Sequence, residues 1–156
     1  AKLSYGGHVL MENRNGLCVD ILVTDATQAE HRAARTLLTR ARRRRIHPTT
    51  LGADKGYHVK DFVSHLREHR IRPHIARIDN RTTPGLDGRT TRTEGYRISQ
   101  RKRKRVGEIF GWLKTVGGMR KSRFIGQAKT QMAAFISGAA YNLLRIAKLS
   151  NSRAGA

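Results

Sequence analysis

The stretch "KLSYGGHVLMENRNGLCVDILVT", residues 2 to 24, limits the fold more than any other. Two runs rich in apolar residues flank "NRNG", and an Asn-Gly pair is a strong short-range hairpin signal. The pattern predicts two antiparallel strands, "KLSYGGHVLME" and "GLCVDILVT". Beyond residue 24 the chain alternates between helical and strand patterns. "QAEHRAARTLLTRARRRR" predicts a helix capped by Thr27, with Ala34, Leu37, Leu38 and Ala41 on its apolar stripe. "TTLGAD" predicts a short strand and "HVKDFVSHLREHR" a helix burying Val59, Phe62, Val63 and Leu66. "IRPHIA" predicts another strand, with Pro73 favouring an edge or a strand start. Residues 79 to 97, rich in Thr, Gly and Arg, predict a mobile loop. A helix over roughly 98 to 116 comes next, then a basic connector. A last helix from about 127 to 148 is expected to bury Met132, Ile136, Ala139, Ala140, Leu143, Leu144 and Ala147. This alternation argues for an α/β domain.

Composition then narrows the partners. The chain of 156 residues carries 32 Lys and Arg against 11 Asp and Glu, a formal charge of +21. Such an excess fits a polyanion, nucleic acid first. Apolar residues are 38% of the chain, so the core is modest. Cys18 is the lone cysteine, which excludes an internal disulfide and fits a small buried hydrophobe in a reducing compartment. No run is long and apolar enough to span a bilayer. The start "AKLSYGGHVL" has neither an initiator Met nor a signal-peptide pattern, so the chain reads as part of something longer.

Chemistry is first sought at Asp54, which ends "TTLGAD" and is followed by "KGYH". A carboxylate at the C-terminal end of an α/β strand faces the crevice where ligands bind. The plainer reading is a cap on the next helix. Lys55 and Tyr57 are placed to meet a phosphate and a sugar or base. "HLREH" sets His65, Glu68 and His69 in an H-x-x-E-H pattern, with the two His four apart on one helix face. No third ligand stands out downstream, and a solvated helix face accounts for it. A zinc hydrolase would require stoichiometric zinc that His65→Ala removes. Trp112 lies off the apolar stripe, with Gly111 and Lys114 nearby; it either stacks on a base or packs on the final helix, and packing is the favoured reading.

"LGADKGYHVKDFVSHLREHRIRPHI", "RKRKRVGEIFGWLKTVGGMRKSRF" and "AAYNLLRIAKL" together resemble bacterial insertion-sequence transposases of the DDE type, insertion-sequence-five subgroup. The likeness covers nearly the whole chain. It implies an RNase H-like α/β fold, truncated at the N-terminus so that the first strand is missing, with C-terminal helices. Residues 1–150 would be a partial catalytic domain and 151–156 a disordered tail. The family's two Asp and one Glu hold two divalent ions, Mg²⁺ or Mn²⁺, that cleave a phosphodiester and join its end to a target. Asp54 matches the second Asp and is the expected metal ligand. The first Asp belongs to a strand upstream of "KLSYGGH", so neither Asp20 nor Asp25 takes its role. That strand is the central one, and its loss would part the hairpin from "TTLGAD" and leave costly open edges. Poor autonomous stability is therefore expected.

The glutamate of the set is displaced. In the family it follows an Arg by four positions and precedes a Lys by seven. With Arg103 and Lys114 in those places, Gly107 fills the Glu slot, Gln100 fills a Tyr slot, and Glu108 comes one position late. On a regular helix with Val106, Ile109, Phe110 and Leu113 inward, Glu108 is turned about 150° from the buried stripe. It is the weaker catalytic candidate beside Asp54.

The resemblance implies DNA, both element ends and target, as partner. An upstream transposase segment and a homo-oligomer are further implied partners, in a cytoplasmic, nucleoid-associated setting and with no membrane. Arg42, Arg43, Arg44 and Arg45, Lys55, Arg101, Lys102, Arg103, Lys104 and Arg105, Lys114, Arg120, Lys121 and Arg123 are the expected phosphate contacts. The competing reading is a non-catalytic basic DNA- or RNA-binding remnant, indifferent to Mg²⁺ and to Asp54→Ala. With the first Asp absent and the Glu displaced, the chain alone is expected to be inactive.

Overall fold

The computed structural model describes residues 4–154. The hairpin forms as expected. Strand β1 (Tyr5–Met11) pairs antiparallel with β2 (Cys18–Asp25), from Tyr5 opposite Asp25 to Met11 opposite Cys18, with an irregularity between Leu10 and Met11. Glu12 organises the connecting loop: its carboxylate accepts backbone N–H groups of Arg14, Asn15 and Leu17. Gly16 takes φ +76°, which a side chain would resist.

Helix α1 (Glu30–Arg43) comes next, burying Ala33, Leu37, Leu38 and Ala41. Its N-cap is Ala29 with no side-chain cap, so the expected Thr27 cap does not form. A backbone turn, Gln28 N–H to Asp25 O, occupies that stretch instead. Strand β3 (Thr50–Ala53) pairs parallel with β4 (Arg72–Ile75). Between them lies α2 (Lys60–Glu68), with Phe62, Val63 and Leu66 buried.

The stretch expected as a mobile loop holds two helices, α3 (Gly88–Thr91) and the start of α4 (Glu94–Lys102). Side chains make them: Asp87 caps α3 through the Arg89 N–H, and Thr93 caps α4 through the Tyr96 N–H. Arg67 of α2 holds the stretch by donating to Gly85 O and Thr90 Oγ1. Leu86 fills the core there.

The expected continuous helix over 98 to 116 is broken. α4 ends at Lys102, a 3-10 turn covers Arg103–Arg105, and α5 (Val106–Thr115) resumes. The break falls within five consecutive cations, whose repulsion at helical spacing disfavours regular winding.

Helix α6 (Gln127–Ala154) runs further than expected, so the presumed tail is helical as far as Ala154. Its buried side is also different. Thr130, Ala134, Gly138 and Tyr141 face inward, while Met132, Ile136, Leu143 and Leu144 are exposed, Leu143 at 70%. Ala139 and Ala147 are exposed and Ala140 is half-buried. The reason is the surface α6 lies on. It runs along the outer edge of β2, and its amides take the place of a neighbouring strand. Gln127 donates to Val23 O, Gln131 accepts from Val23 N and donates to Ile21 O, and Asn142 pairs with both Cys18 N and Cys18 O. Each amide offers a donor and an acceptor, as a strand does. Close approach requires a small residue: a Cβ on Gly138 would lie 2.6 Å from Ile21 Cδ1.

The four strands form two separate two-stranded sheets. Each has its own core. Leu38, Phe62, Val63, Leu66, Ile71, Ile75 and Leu86 pack around β3–β4, and Ile21, Val23, Ile109, Leu113, Ala134 and Tyr141 around the hairpin. No helix among the described residues is long and apolar enough to cross a membrane.

Candidate active-site cleft

A cleft of about 660 Å³ separates the two sheets. β1 and β3 form its sides. Ala34, Leu37, Leu38 and Ala41 of α1 line one face, and Ser99, Lys102, Arg103, Val106 and Phe110 line the other.

Asp54 stands at one mouth, exposed, where β3 gives way to a 3-10 turn over Lys55–Tyr57. Its Oδ1 accepts the Gly56 N–H at 3.0 Å, so the capping role and the crevice position coexist in one side chain. Glu30, from the first turn of α1, comes to the same place. A Cβ on Gly56 would lie 3.2 Å from both Asp54 Oδ1 and Glu30 Oε2, so those oxygens are no farther apart than twice that distance. Sequence reasoning missed Glu30, because only the packing of α1 against β1 and the turn brings it near Asp54. Tyr57 lies beside the pair. Burial first, then the charges of Glu30 and Asp54, push its hydroxyl up to about 12. It stays protonated, a donor beside two acceptors. Burial lowers His8 despite the opposing charge of Glu30, and its ring bonds Thr24 Oγ1 at 2.9 Å.

The cations divide into engaged and free. Arg44 is committed internally, bonding Asp20 Oδ2 at 2.9 Å and Val19 O at 3.1 Å. Lys55 pairs with Asp79 at 3.6 Å and Arg101 with Glu94 at 3.8 Å, both on the surface. Arg103 is aimed along the cleft by Gln100, whose Oε1 accepts its Nε–H at 2.8 Å. Lys102 lines the same wall. Arg105 donates to Arg14 O, which adds Arg14, missed from sequence, to the far mouth. Arg42, Arg43, Arg45, Lys104, Lys114, Arg120, Lys121 and Arg123 are exposed or half-buried with no acidic partner among the described residues.

Glu108 is exposed and does not line the cleft. Its charge acts instead on Tyr141, on the α6 side of α5. Gly107, expected from the resemblance to fill the Glu slot, is exposed, and a Cβ there would meet nothing within 4 Å. Asp54 and Glu30 are thus the two acids grouped at the near mouth. Two carboxylates, one already accepting a backbone N–H, do not make the three-carboxylate set for two Mg²⁺ or Mn²⁺ ions.

His65, Glu68 and His69 bring their ligand atoms within 4.8 Å of one another. They lie on α2 and its C-terminus, off the cleft, where Arg35 and Arg42 add positive charge that disfavours a cation. Trp112 packs edge-on against Tyr141 of α6, ring centroids 5.9 Å apart, the contact expected of packing on the final helix.

No curated protein matches the chain, and no solved structure does. A family model for the transposase DDE domain matches residues 2–143, a span that takes in both sheets, the cleft and most of α6. The mixed α/β architecture is consistent with that domain, and the chain belongs to the transposase DDE domain family.

Proposed function

We propose that this chain carries an RNase H-like catalytic fold of the insertion-sequence-five type, and that it grips DNA during strand cleavage and transfer. The observation that carries the reading is Asp54, exposed at the end of β3 beside a cleft that Lys102 and Arg103 help to line, in a chain of the DDE family. Asp54 is the metal-facing residue of this half-site, through the oxygen that Gly56 leaves free. Glu108, turned towards Tyr141, takes no part. Lys102 and Arg103 meet phosphates within the cleft, and the exposed cations named above meet them outside it. Arg44 is left out of that set by its bond to Asp20.

The acids present fall short of the two-ion set, so the chain alone binds DNA and does not cut it. Nicking of supercoiled plasmid tests this, with Mg²⁺ or Mn²⁺, with EDTA, and beside Asp54→Ala. Binding that weakens steeply with salt and no nicking is the expected result. Metal-dependent nicking lost in Asp54→Ala would show a complete site and refute the claim of inactivity. Failure to bind duplex DNA at low salt would refute the reading altogether.

A further inference from the structure

The connector between α5 and α6 exposes two large apolar side chains in a row, Phe124 at 49% and Ile125 at 91%. A lone exposed apolar residue needs no explanation, but this pair sits among cations. Arg120, Lys121, Arg123 and Lys129 lie within five residues of Ile125 and are all exposed. None of the four has an acidic partner among the described residues, and no acid follows Glu108 in the chain. Lys129 stands in the first turn of α6, where a cation opposes the helix dipole, so helix stability does not account for it.

The tip is held in place. Ser122 Oγ accepts the Phe124 N–H at 3.2 Å and lies 3.1 Å from Thr130 Oγ1. Thr130, 3% exposed, donates its hydroxyl to Gly126 O at 3.0 Å. Both ends of the span from Ser122 to Gly126 are thus tied to one buried threonine of α6. Gly126 turns the chain into the helix at φ +92°. A fixed turn presents Phe124 and Ile125 with little left to order on binding. The ligand such a tip fits is a polyanion that also offers apolar surface. Nucleic acid does so, since its phosphates surround base faces that an opened step exposes. An anionic bilayer offers both as well, but the family match favours DNA.

We propose that the loop from Arg123 to Gly126 is a wedge for duplex DNA: Ile125, with Phe124 beside it, enters between two base pairs from the minor groove, while Arg120, Lys121, Arg123 and Lys129 hold the flanking phosphates. The inference rests on the DNA-binding reading above and adds to it a contact that kinks the duplex.

The probe is a short duplex with a central T·T mismatch beside a 2-aminopurine, compared with its fully paired twin. A mismatched step is already partly unstacked, so a wedge enters it more easily. The full chain is expected to bind the mismatched duplex about tenfold tighter and to brighten its 2-aminopurine. Ile125→Ser should bring that preference below about twofold and remove the brightening, with the salt dependence unchanged. Arg123→Ala should do the reverse, lowering the salt slope by about one and keeping the preference. Both side chains are exposed, so each variant should keep the urea midpoint of the unaltered chain. Equal affinity for the two duplexes, or a preference that Ile125→Ser retains, would overturn the wedge and leave the DNA reading standing. Failure to bind either duplex at low salt would overturn both. Binding to phosphatidylserine-containing vesicles that Ile125→Ser abolishes, with the mismatch preference untouched, would assign the tip to a membrane and overturn the wedge.

Discussion

Asp20 lies within β2 and Asp54 just past the end of β3, and the structure gives these two aspartates opposite dependencies. The Asp20 side chain is 2% exposed. It accepts from the Ile21 N–H at 2.8 Å and pairs with Arg40 at 3.0 Å and Arg44 at 2.9 Å, tying the hairpin to α1. Breaking one side of a buried ion pair costs about 3–5 kcal/mol. The two arginines retain exposures of 31% and 48%, so water recovers part of that. We expect Asp20→Ala to cost about 2–3 kcal/mol after that discount. With an ordinary slope this lowers the urea midpoint by roughly 1 to 1.5 M. Asp54→Ala removes one cap from a three-residue turn and should cost about 1 kcal/mol or less. Urea unfolding followed by circular dichroism separates the two. An Asp20→Ala loss below about 0.5 kcal/mol, the range of ordinary surface changes, would refute the structural role given to Asp20. An Asp54→Ala loss as large as that of Asp20→Ala would refute the contrast.

Gly107→Ala should stabilise the chain by up to about 1 kcal/mol, because the new methyl meets nothing and helix propensity rises; an unchanged or lower melting temperature would count against it. Acidification should destabilise the fold through three buried histidines, His8, His58 and His74, each held below its ordinary value chiefly by burial. His58 shows why. Its Nδ1 accepts the Ile78 N–H at 2.9 Å, so Nε2 carries the one proton, shared with Thr83 Oγ1. The unfolded chain takes up protons first as pH drops below about 6.5, and this part of the stability is lost as pH falls on through the folded-state values. A urea midpoint unchanged between pH 7.5 and pH 5 would contradict this.

Much of the fold was legible locally. Apolar alternation around Asn15-Gly16 gave the hairpin, and the stripes of α1 and α2 gave their buried faces. The region of α3 and α4 was not legible, because those helices rest on the caps Asp87 and Thr93 and on Arg67 from α2 rather than on an apolar stripe. The face of α6 was read backwards. Hydropathy sends Met132, Ile136 and Leu143 inward and glutamines outward, yet the contact surface is a strand edge, which selects amides and a glycine. At the site, Asp54 was visible as a strand-end carboxylate. Glu30 was not, since nothing within twenty residues of it in sequence marks the proximity.

The covering of β2 by α6 also decides how the isolated chain would clump at high concentration. Growth into fibrils at the outer edges requires those edges to be bare, and the side chains of α6 and Tyr96 occupy the outer sides of β2 and β4. The apolar row that α6 turns outward, Met132, Ile136, Leu143 and Leu144, is the stickier surface. Clumps built on it join helix to helix through side chains. They are opposed by a charge of +21 on every copy and dissolve when detergent covers the row, with the backbone ladders left as they were.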